Sequence, residues 1–141
     1  TGPHMMDRKF GKVFSISTSL TTMIGTGLSP YGASKSGLET AHIVWARELG
    51  DHNVDVNILL PGGASDTDFI SQEMVAGAVG TRADRILPGD VIVPPAVWMC
   101  TDETNGLAGR RVIAKFWDHD AAAKDAFEKC LQPKHEHPEI M

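Results

Sequence analysis

Short apolar runs alternate along this chain with polar, periodic stretches. Lys12-Val13-Phe14-Ser15-Ile16-Ser17 is apolar and β-branched, follows Gly11 and precedes a Ser/Thr cluster. It predicts a buried strand. From Thr18 to Pro30 the chain is rich in Ser, Thr and Gly without a period, which predicts a loop. Ser29-Pro30 then marks a helix start, with Ser at the cap and Pro in the first turn. Leu38, Ala41, Val44, Trp45 and Leu49 recur at three- and four-residue steps and make an apolar stripe. Gly50 stands where a C-terminal cap is expected.

Val54-Asp55-Val56-Asn57-Ile58-Leu59-Leu60 predicts a second strand, stopped by Pro61-Gly62-Gly63. The stretch from Ala64 to Gly89 is mixed and polar, with a short helix expected from Asp68 to Val75. Val91 to Cys100 predicts a helix entered through Pro94-Pro95, with Val97 and Trp98 as its buried side. Thr101 to Gly109 is turn-rich, and Arg111 to Phe116 predicts a third strand. An Ala-rich, charged helix is expected from Asp118 to Leu131, and a loose tail from Pro133 to Met141. Strand, helix, strand, helix, strand implies an α/β fold with a parallel sheet. Ligands of such sheets sit beyond the carboxyl ends of the strands. Two polar loops, Thr18 to Pro30 and Pro61 to Thr67, follow strands and so converge on that edge.

The bulk numbers narrow the picture. At 141 residues the chain is one domain or part of one, and 42% hydrophobic residues suffice for a packed core. A formal charge of -5 argues against nucleic-acid binding, which needs a basic stripe. No apolar run is long enough to span a bilayer, and no signal peptide is visible. Cys100 and Cys130 fit thiols in a reducing compartment, with Cys100 expected as a packed hydrophobe. These features predict a soluble, cytoplasmic protein. Gly2-Pro3-His4-Met5 reads either as a cloning scar or as the end of a helix cut off upstream, and nothing before Phe10 looks like the start of a domain. His135-Glu136-His137, even with His119 and Asp120, lacks metal-ligand spacing, so no metal site is expected. Arg110-Arg111 is expected as a solvated pair at a strand start.

The chemistry gathers at Tyr31-Gly32-Ala33-Ser34-Lys35. On a helix Tyr31 and Lys35 share one face, one turn apart. A cation close to a phenol favours the phenolate. Bringing a free tyrosine from about 10 to about 7 takes roughly 4 kcal/mol. One exposed lysine does not supply that, so a second positive charge and a partly dry site are implied.

These residues resemble the short-chain dehydrogenase/reductase family. The matching motifs are Lys12-Val13-Phe14-Ser15-Ile16-Ser17-Thr18-Ser19, Tyr31-Gly32-Ala33-Ser34-Lys35-Ser36-Gly37 and Val54-Asp55-Val56-Asn57-Ile58-Leu59-Leu60-Pro61-Gly62, in the family's order and at similar spacing. The resemblance covers roughly Gly11 to Gly109. It implies an NAD(P)-binding Rossmann-like fold, a parallel sheet with flanking helices, lacking its amino-terminal half. Residues 1–117 would form the carboxyl-terminal part of one such domain, and 118–141 a charged helical extension and tail.

The resemblance implies the following roles. Tyr31 is the acid/base, and Lys35 activates it and binds the nicotinamide ribose. The oxidised nicotinamide of NAD or NADP is the second positive charge. Pro61, Gly62, Gly63 and Ala64 form a turn along the nicotinamide, and Thr67 meets its carboxamide or the pyrophosphate. The family's catalytic serine lies thirteen positions before the tyrosine, which is Thr18. Ser19 is one step closer, has the right residue type and is preferred, with Thr18 next.

The departures are equally plain. The glycine-rich fingerprint, the residue that selects NAD or NADP and the relay asparagine are absent. Gly25-Thr26-Gly27 follows the wrong strand, and Phe116-Trp117-Asp118 replaces the family's aspartate-glycine-glycine end. Two expectations follow. The first is an oxidoreductase that moves a hydride between nicotinamide and a small alcohol or carbonyl substrate. The second is a truncated, non-catalytic fragment that binds partners only. In either case the helix from 31 to 49 is expected to support a homo-oligomer.

Overall fold

The computed structural model describes residues 2–65 and 86–133. Its centre is a three-stranded parallel sheet in the order β1-β2-β3, with β1 at Gly11–Ile16, β2 at Val54–Leu60 and β3 at Arg111–Ile113. Helix α1 (Gly2–Asp7) precedes the sheet. Helices α2 (Leu20–Met23) and α3 (Ser29–Gly50) join β1 to β2. Helix α4 (Val93–Met99) leads towards β3, and α5 (Ala123–Cys130) follows it.

Strand β2 lies between the other two and is buried along its whole length. A strand covered on both faces and both edges reads as a nearly continuous apolar run, as Val54–Leu60 does. Its residue Leu59 packs with Met99, Val112, Ala114, Phe127 and Cys130 in one core cluster. The helix in the charged extension therefore contributes Phe127 and Cys130 to the same core as the sheet. Burial pushes the Cys130 thiol up to about 11, as expected for a packed residue rather than a nucleophile. Leu131 then forms an antiparallel bridge to Val112, beside the outer edge of β3.

Several boundaries differ from the sequence expectation. The first strand runs one residue earlier, from Gly11, although Ser17 N still donates to Leu59 O at 2.9 Å. The loop after it contains α2, because Ser19 caps a local turn. Helix α3 opens with Ser29 inside its first turn, and its cap, Leu28, makes no side-chain hydrogen bond. Gly50 belongs to α3, and Asn53 takes the left-handed conformation instead (φ 56°). Its amide holds that turn by donating to Lys9 O at 3.0 Å. The third strand stops at Ile113, and a 3-10 turn occupies Ala114–Phe116.

The expected buried faces also change. On α3 the fully buried residues are Gly32 and His42, while Val44 and Trp45 stay more than 40% exposed. Gly32 is required where it stands, since a Cβ there would lie 1.8 Å from Met23 O. On α4, Pro95 and Met99 are buried, Trp98 is half-buried and Val97 is exposed. Cys100 is exposed, not packed. On α3 and α4 the position of a residue against its neighbours, as at Gly32 against Met23 O, decides burial, not apolar character. The expected helix at 68–75, Thr67 and the histidines at 135 and 137 lie outside the described residues.

Candidate active site

The site is assembled at the carboxyl ends of β1 and β2. Helix α3 rises from the loop after β1, and the Gly32 contact with α2 fixes its first turn. Tyr31 is half-buried there. Lys35 lies one turn on, its Nζ 5.7 Å from the centre of the Tyr31 ring. That ammonium donates to Ile16 O at 2.8 Å, the last carbonyl of β1. A lysine carries three N–H donors, so this bond leaves two for other acceptors. The Tyr31–Lys35 pair expected from the sequence is thus formed, and the strand end holds its cation in place.

The two candidate hydroxyls before it behave differently. Ser19 is the N-cap of α2: its Oγ accepts from Thr22 N at 3.2 Å and lies 2.9 Å from Thr22 Oγ1. The Thr18 hydroxyl makes no hydrogen bond among the described residues, and its backbone carbonyl accepts from Arg111 Nη2 at 3.3 Å. The two hydroxyls are consecutive in sequence, but capping engages only that of Ser19.

The second loop follows β2. Pro61 O accepts from Lys115 N at 3.0 Å, and Ala64 O accepts from Leu87 N at 2.8 Å. Gly62 has φ +93°, and a Cβ there would lie 2.7 Å from Ile113 Cγ2 and Lys115 Cγ. The turn is therefore pressed against the end of β3, and only glycine fits the conformation without strain. Gly63 and Ala64 are exposed, so Pro61–Ala64 presents backbone at the strand edge.

Ser17 and Glu39, which the sequence reading missed, and Arg111, which it expected in a solvated pair, tie these parts together. Ser17 is 3% exposed, and its hydroxyl donates to Glu39 Oε1 at 2.5 Å. Arg111 Nη2 donates to the same Glu39 oxygen at 3.2 Å, as well as to Thr18 O. Arg111 Nη1 donates to Gln132 Oε1 at 3.0 Å, and Arg110 Nη2 to Gln132 O at 2.8 Å. The arginine pair is therefore engaged with protein, in place of the solvated pair expected. A signal was present: Glu39 continues the four-residue spacing of Tyr31 and Lys35 along one helix face.

The nicotinamide end of a dinucleotide fits this edge. Lys35 retains two donors there, and Pro61–Ala64 is an open turn. Among the described residues no glycine-rich strand–turn–helix provides a bed for its pyrophosphate. No group of three or more His, Cys, Asp or Glu among them is placed to hold a metal ion. None of the described helices is long and apolar enough to cross a membrane.

Comparison with known proteins shows the family and the fold. The profile of the short chain dehydrogenase family matches residues 1–75. A 3-oxoacyl-(acyl-carrier-protein) reductase FabG of Salmonella typhimurium is 28% identical over 109 residues, which are 74% of this chain and 44% of the reductase. A solved short chain dehydrogenase/reductase family protein superposes with a TM-score of 0.67 at 26% identity, covering 79% of this chain and 47% of its own. A protein of Beutenbergia cavernae described as an NAD(P)-dependent gluconate 5-dehydrogenase, solved with NADP at low occupancy, gives 0.68 at 24% identity, covering 80% and 47%. The chain belongs to the short chain dehydrogenase family. It spans less than half the length of these relatives, and its sheet is a partial Rossmann-like fold.

Proposed function

We propose that this segment carries the proton-transfer side of an NAD(P)-dependent oxidoreductase acting on a small alcohol or carbonyl compound. The observation that carries the reading is Lys35, anchored to Ile16 O, beside Tyr31 at the end of the sheet. When bound, the nicotinamide cofactor, NAD or NADP, supplies or takes the hydride. Tyr31 gives its phenolic proton to the carbonyl oxygen in reduction and takes it back in oxidation. Lys35 would hold the ribose through its two remaining donors. The Thr18 hydroxyl, which makes no hydrogen bond among the described residues, donates to the substrate oxygen and orients it. Its freedom from capping favours Thr18 over Ser19. Pro61, Gly62, Gly63 and Ala64 would hold the nicotinamide, and Thr67 keeps the role that the resemblance implies for it. Residues 1–117 supply the carboxyl-terminal half of the domain, and the pyrophosphate bed comes from a glycine-rich half that precedes it.

In the full-length protein carrying this segment, Tyr31→Phe removes the proton donor and keeps the ring. Turnover is expected to fall by about a thousandfold, within the range for a positioned acid/base. Steady-state assays beside circular dichroism check this, and near-normal turnover in a folded variant sinks the assignment.

A second reading rests on surfaces rather than on the site. Among the described residues the outer edge of β1 has no strand partner, and Ile16 and Leu20 beside it are exposed. Val44 and Trp45 are exposed on α3. A chain of this kind on its own would act by self-association through α3, without catalysis. Light scattering separates the two, since a monodisperse monomer contradicts the second reading. Cytoplasmic residence fits both readings.

A further inference from the structure

One turn beyond Lys35 on α3 the structure places a group that no role described above uses. Ser17 from the end of β1, Glu39 from α3 and Arg111 from β3 meet at one carboxylate oxygen. The two contacts are 2.5 Å and 3.2 Å long, and Ser17 is 3% exposed. Arg111 Nη2 carries two protons, one for Glu39 Oε1 and one for Thr18 O at 3.3 Å. Its Nη1 is held by Gln132 Oε1, while its Nε is buried without a partner among the described residues. The arginine plane is thus fixed at two of its three nitrogens, and one edge points at the backbone of the hydroxyl-bearing residue.

We infer that Glu39 and Arg111 are positioning residues that set the Thr18 hydroxyl against Tyr31. The inference rests on the catalytic reading given above. Glu39 lies on the Tyr31–Lys35 face of α3, one turn beyond Lys35. A carboxylate there fixes the helix to β3 through Arg111 and to the start of the loop through Ser17. Arg111 then grips the loop at Thr18 O, one peptide from the Ser17 contact. Two adjacent residues held from the same carboxylate–guanidinium unit leave the Thr18 hydroxyl little room to swing away from the helix. Charge-assisted, two-pronged contacts of this kind give orientation beyond their share of stability. A displacement of about an ångström at a reacting group costs on the order of a hundredfold in rate. Neither residue touches the substrate or the cofactor.

The test uses the full-length protein, assayed with NADH or NADPH and a ketone. Glu39→Ala is expected to cut kcat at least tenfold while the KM for the nicotinamide stays within about twofold. Glu39→Gln keeps an oxygen acceptor for Ser17 and Arg111 and is expected to restore kcat to within about threefold of the parent. Arg111→Met should reproduce the Glu39→Ala loss, and it serves as the second probe if Glu39→Ala does not fold. Tyr31→Phe is run beside them. If Tyr31→Phe retains activity, the catalytic reading fails and the inference with it. If Tyr31→Phe is inactive but Glu39→Ala and Arg111→Met turn over within twofold of the parent, only the inference fails. Equal loss in Glu39→Ala and Glu39→Gln, with KM rising in both, indicates a general structural role and also overturns it.

Discussion

The amino ends and the carboxyl ends of these strands both bury polar groups, and they handle them in opposite ways. At the amino ends Asp55 and Asn57 of β2 reach into the loop that precedes β3. Asp55 Oδ2 accepts from Gly106 N at 3.0 Å, Asn57 Nδ2 donates to Leu107 O at 2.6 Å, and Asn57 Oδ1 accepts from Arg110 N at 3.0 Å. Lys12 adds a bond to Thr104 Oγ1 at 2.8 Å and lies 3.8 Å from Asp55. The Asp55 and Asn57 side chains there answer backbone. At the carboxyl ends, among the described residues, the Thr18 hydroxyl makes no hydrogen bond, Lys35 engages one of three donors, and Arg111 Nε has no partner. Buried polar groups that hold a fold are saturated, because each orphan costs about 1–3 kcal/mol. Groups that hold a site are anchored by a few bonds and keep donors over for a ligand.

The comparison is most easily broken at Thr18 and Ser19. Thr18→Val removes an uncommitted hydroxyl at nearly constant volume and is expected to lower kcat about a hundredfold, as loss of one oxyanion donor does. Ser19→Ala removes a cap and is expected to cost about 1 kcal/mol of stability with kcat within twofold. Assays of both variants in the full-length protein decide it, and a reversed order returns the role to Ser19.

At the amino ends the expectation is stability without chemistry. Asn57→Ala leaves Leu107 O and Arg110 N without their partner. Urea unfolding should show a loss of about 2 kcal/mol. The KM for cofactor should be unchanged, and a variant with parental stability would mean that this network is not what holds the loop.

The smallest effect belongs to an exposed pair outside both regions. Lys129 Nζ donates to Asp118 Oδ2 at 2.6 Å, and this bond, with that from Asp120 N, holds the Asp118 carboxyl below its usual value. A depressed folded-state value means that the pair stabilises above the ordinary aspartate range and loses its effect as pH falls through the folded value. Comparing parent and Lys129→Met by urea unfolding should show a small gap near neutral pH. That gap should close below about pH 4, the ordinary aspartate value. Solvent exposure and salt keep it small.

Much of this was legible in the chain, for identifiable reasons. The β2 run and the Tyr31–Lys35 spacing depend on local periodicity, and both appear in the structure as expected. Gly50 misled because helix ends are chosen by what the next turn can hold, and Asn53 had Lys9 O within reach. Val44 and Trp45 misled because an apolar stripe shows which face can be buried but not whether anything covers it. The Ser17–Glu39–Arg111 contact was missed because these residues are separated by up to 94 positions and meet only when the sheet forms. Spacing pointed to Thr18 and residue type to Ser19, and the preference for Ser19 could not take into account that its hydroxyl caps the turn after β1.

The most direct measurement is calorimetric titration of the full-length protein with NADH and with NADPH, repeated on Lys35→Ala. The account predicts saturable, micromolar binding of one of the two, weakened at least tenfold by the substitution. A folded protein that binds neither, or a Lys35→Ala variant that binds as tightly as the parent, would contradict the placing of a nicotinamide at this edge of the sheet.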